Sequence, residues 1–281
     1  TSQADVSLSS LYLASTTFPF LDRQNSVVVS EALNLDNQIR TMDIGGSQRA
    51  GTSALISLLE SRSNRSALLV ASEHRRSKAG SRAEMLWGDA AAALLVGSEN
   101  VIANCLGVET IATDFVDHYR GEDASFDYDW EERWIRDEGF MKFVPSVVSK
   151  LLRSCSVGSQ QIDYFILPTD QARTPAALAK KLEINPETVV DNQIAEVGVA
   201  GAAQSILLLA KVLENAKPGE HILLIGFGQG CDAILLKTTE AIRSFVPAVG
   251  VSAAISRRRE EKNYNKFLSF NNLVERDVGK R

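Results

Sequence analysis

The 281-residue chain reads as an α/β protein assembled from two copies of one folding unit. Two observations predict this. First, short apolar runs with the length and composition of buried strands occur at 9–16 (SSLYLAST), 66–72 (SALLVAS), 91–97 (AAALLVG), 163–168 (DYFILP), 221–228 (HILLIGFG) and 232–238 (DAILLKT). They alternate with segments of helical periodicity at 50–60, 145–155, 174–183 and 201–214, as a largely buried sheet covered by helices requires. Second, AGTSALISLL (50–59), SALLVAS and GDAAAALLVG (88–97) are repeated in the same order by AGAAQSILLLA (200–210), HILLIGFG and GCDAILLKT (230–238). Small residues open both helices of the repeat and permit close backbone approach, so the two helices are expected to pack together at the centre.

Taken in order, the strand at 9–16 is followed by DIGGSQRAGTSAL (43–55), an acidic residue, a glycine turn and a buried helix. This is the sequence form of an elbow that presents one side chain at a helix start, and the presented stretch is Ser47-Gln48-Arg49. The segment 113–140, TDFVDHYRGEDASFDYDWEERWIRDEGF, fits neither repeat and reads first as a surface insertion, second as an active-site lid or partner-binding loop. From 256 onward the chain is charged and poor in apolar residues, as in a helix or arm leaving the domain.

Composition excludes several classes. A net charge of −5 is unlike a broad nucleic-acid-binding surface. Cys105, Cys155 and Cys231 lie far apart without Cys-x-x-Cys spacing, so no metal site is expected and a reducing, cytoplasmic compartment is. No apolar run reaches the roughly 18 residues of a membrane span, and the first residues lack a signal-peptide layout.

The elbow 43–55, the hairpin WGDAAAALLVG (87–97), LPTDQARTPAALAKKLEI (167–184) and EVGVAGAAQSILLLAKVLENAKPGEHILLIGFGQG (196–230) together resemble the thiolase superfamily. The resemblance is to the branch of ketoacyl synthase III and 3-hydroxy-3-methylglutaryl-CoA synthase, and it covers about positions 9 to 240. It implies a five-layered α-β-α-β-α fold of two duplicated halves, with the family's opening strand and helix apparently missing. The expected organisation is a first half at 1–107, the insertion at 108–145, a second half at 146–240 and a carboxy-terminal arm or linker at 241–281. The resemblance also implies a coenzyme A thioester as ligand, no covalently bound cofactor, and association with the same or another thiolase-like chain. The spacing of Tyr264, Phe267 and Leu268 is similar to the linker to a zinc-ribbon/OB-fold module, a further expected partner.

That family uses a cysteine nucleophile with a histidine and an asparagine. By resemblance their positions fall on Gln48, Thr169 (with Asp170 as the alternative register) and Val199. A carboxamide is no nucleophile. The family's backbone oxyanion donors map to the amides of Gln48 and Gln229.

Further candidates come from the residues themselves. His118 is one of three histidines and lies in the insertion beside Asp117, Asp127, Asp129, Glu131, Glu132 and Glu138. It is a candidate proton-transfer group or a solvated loop residue. His74, Arg75 and Arg76 follow a strand end and are candidates for a CoA phosphate, or an exposed charged loop. His221 reads as structural. Two functions follow: a structural or regulatory subunit of a hetero-oligomeric acyltransferase or condensing-type complex, or a non-covalent acyl-CoA enzyme of aldol, retro-aldol or related carbon–carbon bond chemistry.

Overall fold

The computed structural model describes residues 8–61, 65–247 and 249–274; the last part of the predicted arm, from 275, lies outside the described residues. In chain order the first half comprises β1 (Leu8–Ala14), α1 (Asn25–Ala32), β2 (Arg40–Ile44), α2 (Ala50–Leu59), β3 (Ser66–Glu73), α3 (Arg82–Leu86) and β4 (Ala90–Val96). Next come β5 (Ala103–Ala112), the short hairpin β6 (His118–Tyr119) and β7 (Tyr128–Asp129), and α4 (Glu132–Trp134). The second half follows with α5 (Met141–Ser154), β8 (Ile162–Ile166), α6 (Thr174–Lys181), α7 (Gly201–Leu213), β9 (His221–Phe227) and β10 (Gly230–Thr238), and the chain closes with α8 (Val251–Ser256) and α9 (Tyr264–Phe270).

The strands form two mixed sheets of order β2-β1-β3-β4 and β5-β10-β9-β8. The predicted repeat is visible in the pairing: β3 with β4 and β9 with β10 are antiparallel, whereas β1 with β3 and β8 with β9 are parallel. The duplication is incomplete, because β5 runs antiparallel along β10 and no strand occupies the matching edge of β4 among the described residues. Sequence periodicity missed β5, whose outer edge carries Asn104, Glu109 and Thr110 around Gly107. The expected boundary at residue 107 falls inside this strand, which belongs wholly to the second sheet.

α2 and α7 lie between the sheets. Alternate residues of β9 and β10 feed separate cores, as the two-residue strand period dictates. Ile222, Leu224, Ile234 and Leu236 join the central helices, and Leu223, Ile225, Ala233 and Leu235 meet α5 and α6 on the other face. The small residues do what the sequence suggested: a Cβ on Gly51 would stand 2.4 Å from the Ala202 carbonyl, and one on Gly226 1.9 Å from Thr52 Oγ1. No helix among the described residues is long and apolar enough to cross a membrane.

Each central helix starts against a buried carboxylate from the opposite half. Asp232, 1% exposed on β10, pairs with Arg49 and accepts from Thr52 Oγ1 (2.9 Å), Ser53 Oγ (2.8 Å) and Thr110 Oγ1 (2.7 Å). Glu73, 2% exposed at the end of β3, accepts from Ala202 N–H at 2.9 Å and from Thr16 N–H at 3.1 Å, and also binds Ser15 and Thr17. Negative charge at a helix N-terminus meets unsatisfied N–H groups and the positive end of the dipole. Removing Asp232 leaves the Arg49 guanidinium without its buried carboxylate partner and takes an acceptor from Thr52, Ser53 and Thr110, so Asp232→Ala is expected to lower unfolding stability by about 3 kcal/mol, read by denaturant titration.

Asp43 plays the same part within the first half, accepting from the N–H groups of Asn25 and Ser26 at 2.7 Å each where α1 begins. Burial pushes its carboxyl up, but hydrogen bonds from Ser26 and Asn25 outweigh it and hold the pKa below the ordinary 3.8. A depressed folded-state value means that this contact stabilises the protein above pH 4 or so and is lost as pH falls through the folded-state pKa. Asp43→Asn is therefore expected to flatten the acid limb of a stability-versus-pH curve while lowering stability at neutral pH.

Candidate functional site

The elbow ends β2 and enters α2 through Gly45 and Gly46, the latter at φ 81°, a conformation that glycine adopts without penalty. Ser47 Oγ donates to the Gly228 carbonyl at 2.7 Å, and Arg49 Nε donates to the same oxygen at 3.0 Å, so both neighbours of Gln48 are tied to the β9–β10 turn. Gln48 is left as the presented side chain. Its own N–H takes no hydrogen bond among the described residues.

Gln48 lines a cavity of about 180 Å³ whose walls come from both halves and from the insertion. Thr169, Val199 and His118 line the same cavity, so four residues singled out from sequence, far apart in the chain, meet around one space. The Val199 N–H donates to the Leu86 carbonyl at 2.8 Å and its carbonyl accepts from Gly88, which seats the turn before α7 against the segment that follows α3. Gly198, at φ 80°, makes that contact possible: a Cβ there would lie 2.7 Å from Gly88 N. Thr169 N–H donates to Asn192 Oδ1 at 3.3 Å, and Thr169 Oγ1 accepts from Gln171 N–H at 3.1 Å.

The insertion is largely solvent-exposed, as its composition suggested, and it also walls the cavity. The β6–β7 hairpin forms a wall of the cavity, placing Asp117, His118, Asp129 and Trp130 in its lining. It is anchored from below by Asp127, whose side chain is 2% exposed and pairs with Arg75 at 2.9 Å and with Arg120. Arg75 stacks on the Trp87 ring with its guanidinium carbon 3.5 Å from the centroid.

Within this wall, Asp117 Oδ2 lies 3.2 Å from His118 Nδ1, and the Gln48 carboxamide nitrogen lies 3.2 Å from His118 Nε2. The Gln48 contact at Nε2 has hydrogen-bond geometry, whereas the Asp117 carboxylate stands beside Nδ1 at ion-pair distance. Asp129 stands opposite His118 in the hairpin register. Burial pushes the Asp129 carboxyl above its ordinary value, against the pull of Arg75 and His118.

Other expected contacts fall elsewhere. His74 is exposed and pairs with Asp89 at 2.7 Å, away from the cavity. Arg75 is buried and ion-paired rather than lying free for a phosphate, which corrects its reading as part of an open cationic loop. Arg76 is exposed and lines a neighbouring cleft of about 310 Å³ beneath α9, which shares Arg75 and Trp87 with the cavity. Gln229 sits exposed in the β9–β10 turn at φ 50°, outside the cavity lining.

Sequence reasoning missed Gln204 and Ser205, which are buried on α7 and line the cavity. Gln204 accepts from Ala200 N–H at 2.7 Å and donates to the Asn192 carbonyl at 2.6 Å. Two polar residues inside the otherwise apolar run AGAAQSILLLA were the available signal.

A family model described as 3-oxoacyl-[acyl-carrier-protein] synthase III C terminal matches residues 152–237. A hydroxymethylglutaryl-CoA synthase of Caldivirga maquilingensis is 25% identical over 269 residues, covering 91% of this chain and 75% of the relative. The solved HMG synthase of the curacin biosynthetic pathway, in complex with acetyl donor-ACP, superposes with a TM-score of 0.77 at 16% identity, over 96% of this chain and 73% of that one. The 3-oxoacyl-[acyl-carrier-protein] synthase III of Aquifex aeolicus gives 0.72 at 20% identity, over 82% and 77%. The chain has the fold of these thiolase-superfamily proteins. Within the superfamily, the likeness lies with the ketoacyl synthase III and HMG-CoA synthase branch.

The two-sheet duplication and central helix pair are thus the thiolase fold, and the β6–β7 hairpin is the part of this thiolase-fold chain that closes its cavity. Asp127 holds that hairpin through two guanidinium groups. Asp127→Ala is expected to release it: amide hydrogen exchange over 117–129 should rise at least tenfold, while the strands of both sheets keep their protection.

Proposed function

We propose that this chain binds an acyl-CoA thioester at the elbow and performs carbon–carbon bond chemistry on it without forming an acyl-enzyme, with His118 as the proton-transfer group. The observation that carries this reading is the array Gln48–His118–Asp117 on the cavity wall. Gln48 stands where the resemblance puts the family's cysteine, and its carboxamide cannot attack a carbonyl. Ser47, the adjacent hydroxyl, is committed to the Gly228 carbonyl and to Arg49 N–H. What remains is a backbone donor at Gln48 for the thioester oxygen, and an imidazole with a carboxylate at its side, the residue types that general acid–base catalysis uses. Thr169 and Val199, at the positions of the family's histidine and asparagine, frame the thioester and take no part in proton transfer. Coenzyme A as the carrier is supported by the hydroxymethylglutaryl-CoA synthase relatives and by a similar solved HMG-CoA synthase in complex with CoA.

One observation favours a second reading, a non-catalytic subunit whose active site resides in a thiolase-like partner chain. Arg75 and Trp87 stand stacked in the wall, and the cavity they leave is below the roughly 300 Å³ at which small-molecule pockets usually begin. Incubation with acetyl-, acetoacetyl- and β-hydroxyacyl-CoA, followed by liquid chromatography with mass detection, separates the two. Turnover that falls by about 100-fold or more in His118→Asn supports catalysis here. Absence of turnover alone, with turnover in the presence of a partner chain that is indifferent to His118→Asn, supports the subunit reading.

A further inference from the structure

The cavity wall carries more negative charge than the thioester reading uses. Four carboxylates line the cavity, those of Asp117, Asp129, Glu132 and Asp170, against two guanidiniums, those of Arg75 and Arg82. Both cations are already committed. Arg75 gives Nε and Nη2 to Asp127, and Arg82 reaches Asp170 at 3.3 Å and Glu132 at 3.6 Å. Asp117 and Asp129, on the hairpin wall, are left without a guanidinium partner among the described residues.

Asp117 decides what such a wall can receive. It is 9% exposed, its Oδ2 stands 3.2 Å from His118 Nδ1, and its Oδ1 is buried without a partner among the described residues. A buried carboxylate is strongly destabilising unless donors and a countercharge reach it. Ser205 Oγ on α7 is a second buried, unbonded polar atom in the same lining. Such atoms are rare in folded proteins, and they mark this space as one that takes a polar group and not a hydrocarbon chain alone.

The charge chooses among the polar groups. A hydroxyl brings a donor to Asp117 but no countercharge. A metal ion needs several ligands at one point, and among the described residues no group of three or more His, Cys, Asp or Glu side chains is placed to hold one. A primary ammonium brings three donors and the charge on one compact atom. Trp130, half-exposed in the lining, adds an indole ring of the kind that attracts cations at short range.

We propose that the acyl group received by this cavity carries a primary ammonium, bound by the Asp117 carboxylate, and that acyl groups ending in a carboxylate are turned away. The inference rests on the thioester reading above for its carrier and adds the charge of the substrate. The selection runs opposite to the hydroxymethylglutaryl group in the names of the relatives, which ends in a carboxylate.

The test is calorimetric titration with β-alanyl-, butyryl- and succinyl-CoA, whose acyl chains share one stem and end in an ammonium, a methyl group and a carboxylate. The wild type is expected to bind the β-alanyl ester about tenfold or more tightly than the butyryl ester, and the succinyl ester more weakly than either. Asp117→Asn, with thermal unfolding confirming its fold, is expected to bring the β-alanyl to butyryl ratio to within about threefold. Asp129→Asn, at an exposed position on the same wall, keeps the test available should the first variant not fold, and is expected to lower the ratio by about twofold. Equal binding of the β-alanyl and butyryl esters, tightest binding of the succinyl ester, or a ratio unchanged in the folded variants overturns the inference and leaves the thioester reading standing. The same three acyl groups on N-acetylcysteamine separate the two readings if no coenzyme A ester binds. A preference for the β-alanyl group there keeps the ammonium site and rejects the coenzyme A carrier, whereas no binding in either series rejects both.

Discussion

The structure depends on one reciprocal constraint: each half of the duplicated chain places a buried carboxylate at the start of the other half's central helix. Asp232 collects Arg49, Thr52 and Ser53 at α2, and Glu73 collects Ala202 N–H at α7. A buried charge must be fully solvated by donors or it destabilises the fold by several kcal/mol. The two helices are therefore fixed in register with the sheets at the ends that face the cavity. The glycines at 51 and 226 add to this by admitting backbone and side chain where any Cβ would collide.

The site inherits its rigidity from that brace. Because Ser47 and Arg49 are bound to the Gly228 carbonyl, the elbow has one free side chain to offer, and that residue is Gln48. On the proposed reading, proton transfer falls to the insertion. A hairpin between β5 and α5 carries His118 to the elbow, and Asp127 pins it with two guanidinium groups while Trp87 covers Arg75. The position that the resemblance assigns to the nucleophile holds a carboxamide, and the His118 imidazole reaches it from the hairpin.

Much of the fold was legible because its signals are local. Apolar runs became β1, β3, β4, β8, β9 and β10, and the small-residue starts of α2 and α7 predicted their close packing. β5 was not legible, since an edge strand with Asn104, Glu109 and Thr110 carries no clean alternation. For the site, the elbow and the resemblance located Gln48, Thr169 and Val199, and residue type located His118. The placement of Arg75 and Asp127 was hidden because it depends on contacts between segments tens of residues apart: Arg75 reads as part of an exposed basic triplet until its partner in the hairpin is known. The insertion shows the same limit, since an acidic, aromatic-rich composition is shared by solvated loops and cavity walls.

The central claim is that a thioester is held at the elbow without being attacked. Equilibrium dialysis with a radiolabelled β-hydroxyacyl-CoA, followed by intact-protein mass measurement of the same sample, tests it most directly. The account predicts saturable binding with the protein mass unchanged. An added mass equal to the acyl group would contradict it and direct attention to an acylated residue beside Gln48, and an unlabelled protein at saturating ligand would contradict it by showing that the cavity takes no thioester.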